Sequence, residues 1–78
     1  MRVVVAKVHE NLFNGDAESV TVPTTEGEVT VLNGHEPLVA VLKPGMLTVK
    51  EKGKSESRTF EVTDGVLEVS SGQATVLL

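Results

Sequence analysis

Between Glu26 and Val49 the chain reads EGEVTVLNGHEPLVAVLKPGMLTV. An alternating Val run is followed by a Gly-His-Glu-Pro corner, an apolar run, a Lys-Pro-Gly turn and a second alternating run. Alternation of apolar and polar residues indicates half-buried β-strands, and glycine and proline between such runs indicate turns. The segment therefore predicts three consecutive strands joined by tight connections, and it contains no catalytic motif.

The same alternation continues outside this segment. The apolar members of the alternating runs are Val20 and Val22, Val29 and Val31, Leu47 and Val49, Phe60 and Val62, and Leu67 and Val69. Turn signals recur about every 8 to 12 residues, and no stretch of ten residues has a helical stripe, a combination typical of sandwiches and barrels. The chain is therefore predicted to be all-β: a two-sheet antiparallel β-sandwich of about eight to ten short strands with little or no helix.

Two runs, Val3–Ala6 and Leu38–Leu42, are apolar at every position. Such a run fits either a central strand that is covered on both faces, or a strand whose outer face binds a partner. Among the turn signals, Asn14-Gly15-Asp16 is predicted to form a turn between strands, and Asp64-Gly65 predicts a type I′ hairpin. Pro44-Gly45 predicts a type II turn in which the glycine takes a positive φ.

The composition of the chain argues against several classes of function. The chain has 78 residues, no cysteine, 15 valines, 8 leucines and a net charge of −4. We expect one domain, residues 1–78, without disulfides or a thiolate zinc site. An acidic chain with two aromatic residues is a poor nucleic-acid binder, since such binding needs cationic and stacking side chains. No apolar run is long enough to span a bilayer, so we expect no direct membrane insertion, and the first residues predict a strand and not a signal peptide.

No enzyme motif is present. The chain lacks a Gly-x-Ser-x-Gly sequence, a phosphate-binding glycine loop and a nucleophile–base pair, so no catalytic residue, cofactor or metal is predicted. His35 is the residue most open to a mechanistic interpretation. Its ring either hydrogen-bonds the adjacent backbone or contacts a partner; a metal ligand or general base is disfavoured because no carboxylates cluster around it.

Several motifs occur in an order that resembles the N-terminal β-sandwich of the ATP synthase epsilon subunit, called delta in mitochondria. They are Leu12-Phe13-Asn14-Gly15, Gly27-Glu28, Gly34-His35, Pro37-Leu38, Lys43-Pro44-Gly45, Asp64 to Val69 and Gln73 to Leu77. Asn33 departs from the family, where a proline commonly precedes Gly-His. The chain also ends at Leu78, where the family usually continues into a helical hairpin, so the hairpin's inhibitory contacts and nucleotide site are not carried over.

The resemblance implies a non-catalytic central-stalk subunit that binds the gamma subunit and the c-ring and couples ion-driven rotation to ATP synthesis. No cofactor is implied, and no nucleotide is expected without the hairpin. The expected location is peripheral, on the cytoplasmic face of the bacterial plasma membrane, or on the inner or thylakoid membrane of an organelle. The candidate interface residues are Thr25, Glu26, Glu28, Asn33, Gly34, His35, Pro37 and Leu38.

Two alternatives stay open. Glu28 is either a solvated turn residue or a contact to the c-ring, whose polar loops often carry Arg and Gln. Lys52 and Lys54 lie on a plausible hairpin tip, which is where lipoyl and biotinyl carrier domains present their modified lysine. Those carriers place the lysine in a Met-Lys or Asp-Lys context that is absent here. A small β-sandwich carrier or interaction module of this kind, with an unidentified protein partner, is therefore the weaker alternative.

Overall fold

The computed structural model describes all residues, 1–78, and contains eight strands and no helix. The strands are β1 (Arg2–Lys7), β2 (Glu10–Thr24), β3 (Gly27–Leu32), β4 (Leu38–Leu42), β5 (Gly45–Glu51), β6 (Ser57–Val62), β7 (Gly65–Ser70) and β8 (Gln73–Leu77). The predicted all-β sandwich is confirmed.

Strand β2 connects the two layers of the sandwich. Its first half pairs with β1, whereas its second half lies between β3 and β5. Layer one therefore consists of β4, β7, β8, β1 and the first half of β2, and layer two consists of β3, the second half of β2, β5 and β6. Thr24 at the end of β2 pairs with Leu42 of β4, which joins the layers a second time.

One strand pairing is parallel. Strands β1 and β8 run in the same direction, whereas the other pairings are antiparallel. Strand β1 lies between β2 and β8, so the apolar run Val3–Ala6 belongs to a central strand. Its members Val3 and Val5 are buried, while Val4 and Ala6 are half-buried on the outer face.

The core is almost entirely aliphatic and draws on both layers. Every alternating run points its apolar members inward, although Val29 and Phe60 are only half-buried. The buried hydrophobic residues are Val3, Val5, Phe13, Ala17, Val20, Val22, Val31, Leu42, Leu47, Val49, Val62, Leu67, Val69, Ala74 and Val76.

At one edge the Arg58 guanidinium lies 5.3 Å from the ring centre of Phe13 and 5.6 Å from that of Phe60, close enough for cation–π attraction.

Three glycine predictions were wrong in detail. The segment Asn14-Gly15-Asp16 is not a turn, because it lies within β2, which continues without interruption from Glu10 to Thr24. Gly45 has no positive φ and instead begins β5, where a Cβ atom would lie 3.1 Å from the Pro23 ring. Only Gly65 of the Asp64-Gly65 pair has a positive φ, whereas a type I′ turn needs two. That geometry occurs between β7 and β8, at Ser71 (φ 51) and Gly72 (φ 76).

Candidate functional site

The tip of the β2–β3 hairpin is held by a buried threonine. The Thr24 hydroxyl donates a hydrogen bond to the carbonyl oxygen of Gly27 and accepts one from the amide of Glu26 at 3.1 Å. The amide of Thr25 donates to the carbonyl oxygen of Val41 at 3.0 Å, which ties the tip to β4. The sequence analysis assigned no closing role to Thr24, although a threonine just before a turn often closes it through its hydroxyl. The result is a fixed tip on which Thr25 and Glu26 are exposed.

Glu28 follows this tip on β3, where it lies opposite Pro23 of β2. Its side chain is exposed, like that of Glu26, and neither carboxylate has an ion-pair partner within the chain. The tip is therefore an acidic corner with two carboxylates available to a cationic partner.

The connection from β3 to β4 forms a second exposed group. Its backbone turn is closed by the amide of His35, which donates to the carbonyl oxygen of Leu32 at 3.1 Å. The ring Nδ1 of His35 lies 2.7 Å from the carbonyl oxygen of Glu36, so the ring donates to the adjacent backbone. Asn33, Gly34 and Pro37 are exposed around it. No group of three or more metal-ligating side chains occurs in the molecule.

The predicted residues thus form two groups and not one site. Thr25, Glu26 and Glu28 lie at one end of β3, and Asn33 to Leu38 lie at its other end. A six-residue strand rising about 3.3 Å per residue separates the two groups by about 17 Å. Two separate groups can serve two different partners.

A third surface was only partly predicted. Strand β4 is not covered on both sides, since the outer side chains of Val39 and Val41 are 70% and 57% exposed. Val41 pairs with Val66 of β7, and Val66 pairs with Leu77 of β8; these two residues are 41% and 56% exposed. We call these four residues the apolar face. Sequence reasoning singled out β4 through its unbroken apolar run but had no signal for Val66 and Leu77, which lie in ordinary alternating strands.

The outer face of layer two is polar by contrast. Four threonines lie side by side across it, because Thr30 pairs with Thr21, Thr21 with Thr48, and Thr48 with Thr59. The hydroxyls of Thr21 and Thr30 are 2.9 Å apart. One apolar side and one polar side per strand is typical of a sheet that faces water. Layer two also exposes Leu32 and Met46, but these lie on opposite sides of the threonine row, so layer one is the layer with a contiguous exposed apolar surface.

The ion pairs of the molecule gather around the loop after β5. Lys52 Nζ lies 3.9 Å from Asp16 Oδ2, and Lys54 Nζ lies 4.0 Å from Glu51 Oε1. A hydrogen bond from the Met1 ammonium, at 3.1 Å, lowers the pKa of the Asp16 carboxyl. Lys52 and Lys54, the lysines of the carrier alternative, therefore belong to an ion-paired cluster.

The molecule has one surface cleft, of about 370 Å³, between β2, β6 and the last residue. Its apolar lining is Leu12, Phe60 and Leu78, and its polar lining includes Lys7 and Glu61. No histidine lies in it, and none of its groups forms a nucleophile–base pair. No helix suited to crossing a membrane occurs in the molecule.

Comparison with known proteins gives a consistent result. The family model described as "ATP synthase, Delta/Epsilon chain, beta-sandwich domain" matches residues 1–78. The ATP synthase epsilon chain of Herminiimonas arsenicoxydans is 40% identical over 77 residues, and that of Chromobacterium violaceum is 42% identical over 77 residues. Each alignment covers 99% of this chain and 55% of the relative, so the chain spans about half the length of these curated relatives.

Solved structures agree in fold. A chain of the Euglena gracilis mitochondrial ATP synthase, in a structure that includes the c-ring, superposes with a TM-score of 0.85 and 26% identity over 96% of this chain and 48% of its own. A chain from the central stalk and c-ring of the Tetrahymena thermophila mitochondrial ATP synthase superposes with a TM-score of 0.84 over 99% of this chain and 61% of its own. At 22% identity the second likeness shows the fold alone.

Proposed function

Since the chain belongs to the ATP synthase delta/epsilon family, as its β-sandwich domain, we propose that it is a non-catalytic part of the central stalk of a rotary ATP synthase. In this role it binds the gamma subunit and the c-ring and couples ion-driven rotation to ATP synthesis. Family membership favours this function over the lysine-carrier alternative.

The apolar face is the observation that carries the proposal. A contiguous exposed apolar surface on a small domain marks a binding site, because leaving it in water is unfavourable. Strand β4 leads into this face directly from Pro37 and Leu38 of the second candidate group. We assign the face and the adjoining corner, including His35, to the gamma subunit.

The acidic tip is assigned to the c-ring. Glu26 and Glu28 are exposed and without ion pairs, so their carboxylates are available for charge-assisted hydrogen bonds to basic loops. Attachment to the membrane then runs through the ring, on the cytoplasmic face of a bacterial plasma membrane or on the corresponding face of an organellar one.

Force transmission follows from the position of the two groups. Both lie on β3 or directly at its ends, and β3 pairs with β2 over its whole length. Because β2 also pairs with β1 and β5, a load applied at the tip is shared by hydrogen bonds of both layers. A close-packed aliphatic core resists shear, so the domain passes torque on and does not store it as deformation.

Association with the two partners tests the proposal. The purified chain is mixed with purified gamma subunit and with detergent-solubilised c-ring, and complexes are separated by size-exclusion chromatography. We expect co-elution with gamma and a ternary complex when the ring is added, and no ATP hydrolysis by the chain alone. Failure to bind gamma would contradict the proposal.

Replacing Glu28 with lysine is expected to weaken the interaction with the ring. The change reverses one of the two charges at the tip and places a cation against basic loops, so we expect the affinity for the gamma-bound ring to fall about tenfold or more. Surface-immobilised ring and biolayer interferometry at low salt provide the measurement. Glu56→Lys, the same change in the exposed loop before β6, is the control. Equal affinities of the two variants would remove Glu28 from the interface.

A further inference from the structure

A single charged side chain lies within the apolar face. Glu68 of β7 pairs with Val39 on one side and with Thr75 on the other, in the row next to Val41, Val66 and Leu77. Its side chain points outward between the buried residues Leu67 and Val69, and no ion pair of the molecule includes it. Glu68 differs from Glu26 and Glu28 of the acidic tip because it lies on the sheet face itself, directly beside the exposed Val39.

The dimensions of the face indicate which element covers it. Strands β4, β7 and β8 are consecutive neighbours, so their axes span about 10 Å at the usual spacing of about 4.8 Å. This width matches one α-helix, which is about 10 to 12 Å across with its side chains. A strand added at the edge of β4 would lie in the plane of the sheet. It would leave Val66 and Leu77 in water, because these side chains project perpendicular to that plane.

We propose that the occupant is an amphipathic helix whose apolar stripe carries one lysine or arginine, and that Glu68 pairs with this cation. The inference rests on the proposed function, because the helix is taken to belong to the gamma subunit. A helix seated on Val39, Val41, Val66 and Leu77 removes water from Glu68. A carboxylate buried without a partner is strongly unfavourable, so the covering helix has to supply a positive charge.

Glu68 therefore determines specificity more than affinity. Its pair with the cation offsets the cost of removing both charges from water and adds little beyond that. A helix with a purely apolar stripe, or with a carboxylate at this position, leaves Glu68 unpaired or repelled and is rejected. The valines and Leu77 supply the binding surface, and Glu68 selects which helix uses it.

Titration of the gamma subunit into the wild-type chain and two Glu68 variants tests the pair. Glu68→Gln keeps the shape of the side chain but leaves the partner's cation unpaired, so we expect Kd to rise about 30-fold. Glu68→Lys places like charges together, so we expect about a 1,000-fold rise. The control is Glu61→Lys, an identical charge reversal on an exposed residue of β6 in layer two, which should stay within about threefold of wild type.

The covering element is identified by cross-linking. Because the chain has no cysteine, Thr75→Cys offers a single thiol beside Glu68 for a photoactivatable maleimide. We expect the cross-link to fall on a helix of gamma within one turn of a lysine or arginine. A cross-link to a second copy of this chain, to the c-ring or to a non-helical segment of gamma would overturn the inference.

The outcomes separate this inference from the proposed function. A wild-type chain that does not bind gamma would refute both. If gamma binds and both Glu68 variants retain wild-type affinity, the proposed function stands and the charge pair is refuted. Thermal unfolding of each variant should match wild type, because Glu68 and Glu61 are exposed and without ion pairs, which rules out loss of folding as the cause of weaker binding.

Discussion

Replacing Gly65 with alanine is expected to remove a large part of the stability of this domain. A Cβ atom at this position would lie 2.3 Å from the carbonyl oxygen of Leu77 and 3.2 Å from the Cα of Leu78. The φ of Gly65 is 150°, which side chains rarely adopt. Strain of this kind and overpacking each cost about 1 to 3 kcal/mol, so we expect a loss of about 3 to 5 kcal/mol. A domain of this size has only about 4 to 12 kcal/mol in total.

The neighbouring backbone has little freedom to relieve this contact. Leu77 belongs to β8, which is hydrogen-bonded to β7 on one side and to β1 on the other. Urea denaturation and calorimetry measure the loss, which corresponds to a fall in Tm of about 12 °C or more. Gly53→Ala is the control, because Gly53 also has a positive φ, of 77°, but no atom lies within 4 Å of the added Cβ. Equal losses in the two variants would show that the close approach to β8 does not matter.

Placing aspartates at Val39 and Val41 together is expected to abolish binding to the gamma subunit. Both side chains are largely exposed on β4, so the double variant should fold with a stability within about 1 kcal/mol of wild type. In the complex the two carboxylates would be buried without partners beside Glu68, which costs several kcal/mol. We therefore expect Kd for gamma to rise more than about 100-fold. Isothermal titration calorimetry measures the affinity, and circular dichroism checks the fold.

The matched control places the same two charges on the other layer. Ser57→Asp with Thr59→Asp changes two exposed residues two positions apart on the edge strand β6. Because β6 lies in the layer with the polar outer face, this variant should bind gamma as wild type does. If both double variants bind equally well, the apolar face is not where gamma binds.

The alternating runs predicted the core well because burial along a strand follows a local rule. Leu47 and Val49 point inward because successive side chains of a strand point to opposite faces, whatever the strand's neighbours are. The turn predictions were less successful. Asn14-Gly15 has the composition of a turn, but the pairing of β2 with β1 keeps the segment extended. At Gly45 a side chain would crowd Pro23, a residue more than twenty positions earlier in the chain, which local turn composition does not indicate.

The candidate site, like the fold, was predicted only in part from the sequence. The Gly-His corner and the acidic hairpin tip were predicted because each is a contiguous segment with a readable turn composition. The role of Thr24 in closing the tip was not predicted, because it depends on the burial of the side chain within the turn. The separation of the two groups by the length of β3 could have been predicted, because the alternating run with Val29 and Val31 already indicated a strand between them.

The order of residues alone determined that this chain is a valine-rich β-sandwich and which family it resembles, because side-chain alternation and turn composition are properties of short segments. Only the tertiary structure decided that β1 and β8 run parallel and that Val39, Val41, Val66 and Leu77 meet around Glu68. Strand β4 comes more than twenty residues before β7 and β8 in the chain. That β4 becomes the neighbour of β7 is set by packing of the whole core and not by local preference.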